Sequence, residues 1–379
     1  MAVEKVVVIP EEPIMGVTLG LTLILLLVLT LPFKVRIVEE NLEVFFFVMG
    51  LLAVGLNFYY GIIPGFEELI SLFKTAFTTP LAIAHVAGIP IGIVQAVIFF
   101  GLLFYYFHRH IYTVIGKAIA VLGIPIFAFS LSLTLGLTSS IISVIVASVI
   151  LSEVLAAIKV DKETKVKLAV YACFSLGLGA ALTPIGEPLS TIAVSKLNAP
   201  FDYLLRLLGA YVIPGVIISS LAAALAARKA VGRGKSIEID LTYEETLRGV
   251  LERGFKVFLF VAALELLGAS FEPMVKWYFS KLPSWGLYWI NTVSAVLDNA
   301  TLTAAEISPF LTEEQIRSAL MSLLISGGML IPGNIPNIVS ASRLKISSGE
   351  WARVGIPFGV LLLLAYFIVI EVLGIHITF

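Results

Sequence analysis

Asp298 and Asn299 stand side by side in an otherwise apolar run, Trp289-Ile-Asn-Thr-Val-Ser-Ala-Val-Leu-Asp-Asn-Ala-Thr-Leu-Thr-Ala-Ala305. The other aspartates, Asp161, Asp202 and Asp240, lie in polar connections. A carboxylate at the centre of an apolar segment costs about 2.5–3.5 kcal/mol on insertion scales, so it marks a functional position, here ion or proton handling. Hard monovalent cations take oxygen ligands. The chain offers these as hydroxyls (Thr138, Ser139, Ser140, Thr183, Ser190, Thr301, Thr303), as amides (Asn299, Asn334, Asn337) and as a second acid, Glu187. Desolvation favours the neutral form of a carboxyl group, and a neighbouring cation favours the charged form. One carboxylate can therefore hold Na+ when ionised and H+ when neutral, which is the minimal chemistry of an antiporter. Asp298 also suits a helix N-cap, a role compatible with ion binding.

The composition sets the solvent. The 379 residues are 59% hydrophobic and 13% charged, with a mean hydropathy of +1.02. A soluble domain carries about twice that charged fraction, so the chain is expected to be an all-α polytopic membrane protein, in contact with lipid. A net charge of -1 argues against nucleic acid as a partner. Cys173 is alone and can form no intramolecular disulfide. The first apolar segment follows Glu4, Lys5, Glu11 and Glu12, without a basic leader or a cleavage site, and is expected to be a retained helix. An intramembrane aspartyl protease needs two membrane aspartates, and a zinc protease a His-Glu-x-x-His pattern. Neither is in the sequence, so no enzyme and no cofactor is expected beyond Na+ and H+ as transported or coupling ions.

Apolar runs of about 20 residues predict membrane spans at 13-33, 42-62, 80-106, 203-227, 246-270 and 354-375. Two further runs, 166-197 and 315-345, are interrupted by Thr183-Pro-Ile-Gly-Glu-Pro188 and Ile331-Pro-Gly-Asn-Ile-Pro336. Proline removes a backbone donor and glycine favours non-helical dihedrals, so both predict crossing helices broken near the midplane. The segments 121-158 and 285-310 each carry a polar tip, Thr138-Ser-Ser140 and Asp298-Asn299, and are expected to be re-entrant hairpins. With eight crossings, most Lys and Arg residues, from Lys34 and Arg36 through Lys159–Lys167 to Arg343, Lys345 and Arg353, fall on one side. Lys5, Lys74, Lys196, Arg206, Lys276, Lys281 and Arg317 fall on the other. The positive-inside rule makes the first side cytoplasmic and puts both termini outside, in a plasma (inner) membrane. Trp277, Trp285, Trp289 and Trp351 are expected in an interfacial belt.

The two halves repeat these motifs in the same order. Leu137-Thr-Ser-Ser-Ile-Ile-Ser143 matches Leu297-Asp-Asn-Ala-Thr-Leu-Thr303, and Leu182-Thr-Pro-Ile-Gly-Glu-Pro188 matches Leu330-Ile-Pro-Gly-Asn-Ile-Pro336. Each half reads as span, hairpin, broken helix, span. Three crossings per copy make the second copy inverted, the architecture of secondary transporters. The expected units are scaffold helices in 1-79, a first repeat in 80-227, a cytoplasmic linker in 228-245 and an inverted repeat in 246-379.

On these motifs the chain resembles the ion transporter superfamily, which includes NhaD-type sodium/proton antiporters, arsenite transporters and sodium-coupled dicarboxylate and citrate carriers. The resemblance covers roughly 80-375 and rests on Asp298-Asn-Ala-Thr-Leu-Thr303, Gly333-Asn-Ile-Pro-Asn337, Thr138-Ser-Ser140 and Pro184-Ile-Gly-Glu-Pro188. The family's hairpin tips usually carry Asn followed by Thr, so Ser139 departs from the pattern. The resemblance implies a homodimer in which a hairpin-bearing domain moves against a fixed scaffold. It also implies Na+ at Asp298 and Asn299.

Other acids have plainer expectations. Glu306 is placed toward the outer mouth, to snorkel or shuttle protons, with Glu153 as its cytoplasmic analogue. Glu187 is placed near the ion site or lining a solvated cavity. The expected function is sodium (cation)/proton antiport. The alternative is sodium-coupled symport of a small organic anion such as a dicarboxylate, for which the neutral first tip is better suited than Asp298.

Overall fold

The computed structural model describes residues 7–81, 84–86, 89–91, 93–232, 238–239, 246–278, 281–296, 299–307, 311–375 and 377. The chain is helical almost throughout. In the N-terminal part the helices are α1 (Met15–Lys34), α2 (Arg36–Glu40), α3 (Leu42–Tyr59) and α4 (Phe66–Thr78). There follow α5 (Ile93–Ile142), α6 (Val144–Ala157), α7 (Lys162–Ala180), α8 (Pro188–Leu197) and α9 (Tyr203–Gly232). The rest comprises α10 (Leu247–Tyr278), α11 (Ser284–Ile290), α12 (Asn299–Glu306), α13 (Glu313–Gly327), α14 (Ile335–Leu344) and α15 (Ser348–Phe367). Two short antiparallel pairs complete the described residues. Ala84–Val86 pairs with Ile89–Ile91, and Ile158–Lys159 pairs with Glu238–Ile239, tying the central linker to the α6–α7 turn.

Among the described residues, six helices are long and apolar enough to cross a membrane: Met15–Pro32, Leu42–Tyr59, Thr113–Ile142, Tyr203–Ala230, Leu247–Tyr278 and Ser348–Val372. Five coincide with expected spans. The span expected at 80-106 does not form as such. Its first part includes the strands at 84–91, and α5 then runs without a stop through His108-Arg109-His110. The apolar window therefore falls after that polar cluster, at 113–142. Leu19, Leu23 and Leu26 on α1, Leu221 and Leu225 on α9, and Leu361 and Leu364 on α15 are all exposed. Apolar surface on this scale is what lipid covers. The molecule is a membrane-embedded helical protein.

Inside this shell, α7 and α13 are buried on nearly every side: α7 from Leu168 to Ala180 except Tyr171, and α13 from Ile316 to Gly327. A helix that is buried all round belongs to the centre of its bundle. Close backbone approach brings α5 against α7. A Cβ placed on Gly179 would lie 1.9 Å from Gly136 O, so only glycine fits there.

Within α5, Gly123 takes φ 70°, ψ 156°, two residues before Pro125, and interrupts helical geometry. The part after it packs back on α6 across Ser143, which has φ 75° and accepts a hydrogen bond from Ile145 N. The turn is thus at Ser143. Thr138-Ser-Ser140, expected at the tip, lies instead in the last turns of α5.

Both interruptions expected from proline and glycine are present. α7 ends at Ala180 and α8 starts at Pro188; α13 ends at Gly327 and α14 starts at Ile335. Packing across them is reciprocal. α6 lies on α14, and α12 lies on α8. Thus α6, which follows the turn at Ser143, rests on the helix after the second break, and α12 rests on the helix after the first.

Candidate functional site

The second break is held by Asn337. Its Nδ2 donates to Gly327 O at 2.7 Å and to Leu330 O at 2.8 Å, two carbonyls released by the end of α13. Pro336, at the start of α14, has no N–H to serve them. Trp351 closes the same break from α15, its Nε1 donating to Gly328 O at 3.2 Å. Both side chains are fully buried. The amide of Asn337 is therefore spent on structure, while its Oδ1 is buried without a partner.

Two more asparagines surround this break. Asn299, at the first turn of α12, is buried, and its Nδ2 has no partner. That nitrogen lies 3.4 Å from where a Cβ on Gly327 would stand, and Gly333 O lies 2.9 Å from the same point. Asn334 reaches toward the other half. Its Nδ2 is 2.4 Å from the Cβ position of Gly177 on α7 and also lacks a partner. Asn299, Asn334 and Asn337 are thus gathered around one break, with polar atoms buried and unspent. Native proteins leave few such atoms, and each calls for an explanation.

The remaining expected ligands fare differently. Thr303 is buried, but its hydroxyl donates to Asn299 O at 2.8 Å within its own helix. Asp298 lies outside the described residues, as does the side chain of Thr301.

In the first half the hydroxyls act as staples. Thr138 donates to Thr134 O at 2.7 Å. Ser139 bonds Gly136 O at 2.6 Å and Leu176 O of α7 at 3.2 Å. Ser140 bonds Leu137 O at 2.8 Å. Thr183 reaches from the break to Ser140 O, and Ser190 closes it by donating to Ala181 O at 3.3 Å. Val144 N donates to Gly186 O at 2.7 Å, which pins the hairpin turn to the break. The first break thus has its hydroxyl hydrogens on backbone carbonyls, whereas the second has amide atoms to spare. Glu187 is buried, at 3% exposure, which excludes the solvated position.

Charged residues give the largest corrections. Glu153, expected as the cytoplasmic analogue of Glu306, to snorkel or shuttle protons, is buried on α6 and meets Arg343 of α14. The pair is a fork, Nε to Oε1 at 2.7 Å and Nη2 to Oε2 at 2.8 Å. Arg343, one of the cations that the charge split assigns to the cytoplasmic side, thus has its guanidinium buried between α6 and α14. Arg317 is buried too, with Nη2 at 2.9 Å from Glu313 Oε1 and its guanidinium 5.8 Å from the Tyr211 ring. Glu306 is 5% exposed and does not snorkel. Trp277 and Trp351 are buried within the protein, while Trp285 is exposed. Sequence reasoning passed over Asn291, Arg343 and Trp351 as site residues. For Asn291 the signal was present, a second amide, in addition to Asn299, inside the apolar run that contains Asp298.

The fold and site define a membrane-embedded, all-α protein with two interrupted helices and buried amides at the second interruption. The chain belongs to the family described as Protein of unknown function (DUF1646), whose model matches residues 18–373. A comparison with curated proteins finds no match.

Proposed function

We propose that the protein is a secondary active transporter, built as two inverted repeats and exchanging a cation, Na+ in the first instance, for protons. The observation that carries this reading is the reciprocal packing of α6 on α14 and of α12 on α8 around two interrupted helices. A two-fold axis in the membrane plane would produce this exchange of partners, and broken helices at such an interface are where substrates bind in inverted-repeat transporters. In this reading α5 after Gly123 with α6, and α11 with α12, are the hairpins, and Asp298 with Asn299 stands at the tip of the second. Asp298 is the shared Na+/H+ carboxylate. Oxygen lone pairs of Asn337, Asn334, Thr301 and Thr303 complete the cation's surroundings. The homodimer and the plasma-membrane location with outside termini belong to the same proposal.

Purified protein in liposomes tests it. A Na+ gradient alone is expected to move protons the opposite way, and Asp298→Asn is expected to abolish this while the protein stays folded. Apparent Na+ affinity should fall about tenfold per pH unit below the carboxylate's pKa and level off above it, because the proton and the cation compete.

One observation favours a second reading. The unspent Nδ2 atoms of Asn299 and Asn334 are donors beside the starts of α12 and α14, and helix N-termini with free donors suit a carboxylate. Sodium-coupled uptake of a small organic anion would then replace proton exchange. Na+-driven uptake of a dicarboxylate, with no proton movement under a Na+ gradient alone, would select that reading.

A further inference from the structure

Two buried acids lie on the helices that follow the hairpin turns, Glu153 on α6 and Glu306 on α12. They are treated differently. Glu153 has a buried arginine that matches both oxygens. Glu306 has neither oxygen in a hydrogen bond.

Among the described residues, the elements packed against α12 place no cation on the Glu306 carboxyl. α8 carries Lys196, which stands second from the end of its helix, as Arg343 does in α14. Lys196 is exposed and lies in the field of Glu272. α10 carries Arg248, Glu252, Arg253 and Lys256 near its start and Glu265, Glu272 and Lys276 in its second half, and Lys276 donates to Ile9 O at 2.8 Å. α13 carries Glu313, Glu314 and Arg317, and Arg317 is engaged by Glu313. The polar side chain beside the Glu306 carboxyl is Asn291, from the single turn of 3-10 helix Asn291–Ala295. Its Nδ2 is committed to Ala319 O at 3.3 Å and Ser322 Oγ at 3.1 Å, while its Oδ1 is buried without a partner.

An ionised carboxylate so placed has lost its water and has no cation in return, only an amide whose N–H groups already serve Ala319 O and Ser322 Oγ, and such a group neutralises instead. A proton converts Glu306 from an acceptor into a donor, and the cluster holds an acceptor, Asn291 Oδ1, that lacks one. We propose that Glu306 is a proton-binding site separate from Asp298, occupied as a neutral carboxylic acid in this conformation. Its proton is released when α12 slides along α8. The O–H bond then breaks, the proton passes to water, and the carboxylate is met by the Lys196 ammonium. The second half thereby reaches the ion-paired state that Glu153 and Arg343 already hold. The release step rests on the transport reading; the protonation itself does not.

Infrared spectroscopy of the full-length protein in liposomes at neutral pH reads the proton directly. A protonated-carboxyl C=O band is expected, with one carboxyl's worth of intensity lost in Glu306→Gln. In Asn291→Ala the band is expected to shift while keeping its intensity. A Glu306→Gln spectrum that matches the wild type overturns the proposal. Should that variant fail to assemble, an unmoved band in Asn291→Ala overturns it instead. A wild type that keeps the Glu306 band but moves no protons under a Na+ gradient supports this site and sinks the exchange reading alone.

Discussion

Arg343 keeps its charge inside the protein because Glu153 meets it with both carboxylate oxygens. The pair joins α6 to α14, and so joins the first half's hairpin to the helix after the second half's break. Removing one member of a buried pair leaves an uncompensated charge and costs about 3–5 kcal/mol, whereas replacing both with apolar groups of similar volume is often neutral. Glu153→Gln is therefore expected to lower the unfolding free energy in detergent by about that amount. The double variant Glu153→Met with Arg343→Met should recover most of it. A single variant as stable as the wild type would mean that water reaches the guanidinium.

At the scale of elements, the contact between α5 and α7 depends on glycine. Gly136 and Gly179 bring the two backbones so close that any Cβ on Gly179 meets Gly136 O. Gly179→Ala must push α5 away, and with it the Ser139 bond to Leu176 O and the hairpin turn pinned at Gly186. Overpacking of this kind costs about 1–3 kcal/mol, more where the obstacle is backbone. Its melting temperature should drop clearly below that of the wild type. Gly55 on α3 is the control, because nothing lies within 4 Å of its Cβ position. Gly55→Ala should raise stability by roughly 0.5–1 kcal/mol, the helical gain of alanine over glycine. Equal effects at the two sites would remove close packing as the cause.

For the whole molecule, inverted repeats require that the two hairpins open to opposite sides of the membrane. Cys173 is buried against Pro336 O and Ser340 Oγ, at 3.4 and 3.3 Å, and can be replaced by Ser. In that background a cysteine at Ala156, near the end of α6, should react with an impermeant reagent only from the cytoplasmic side. One at Ser308, beyond α12, should react only from outside. Labelling of both from the same side would make one hairpin a full crossing. The apolar length of Thr113–Ile142 makes this the decisive measurement for the topology.

The sequence by itself determined the solvent, the helical class, five of the six long apolar helices and both interruptions. Each of these follows from local properties: apolar length, and proline or glycine at a fixed place. It also singled out Asn299, Asn334 and Asn337, because amides are conspicuous in apolar surroundings. It misplaced the long apolar helix near 113–142, since α5 continues through His108-Arg109-His110 instead of ending there. It set the first hairpin's tip at Thr138-Ser-Ser140, where the side chains bond carbonyls of their own helix and, from Ser139, of α7, and Ser143 makes the turn. Only the tertiary structure decided which buried acid has a cation. Glu153 and Glu306 look alike in sequence, but the helix packed on one carries Arg343 turned inward, and the helix packed on the other carries Lys196 turned out. Partnership across nearly 200 residues depends on which helices pack together and at what rotation, and no local pattern encodes that.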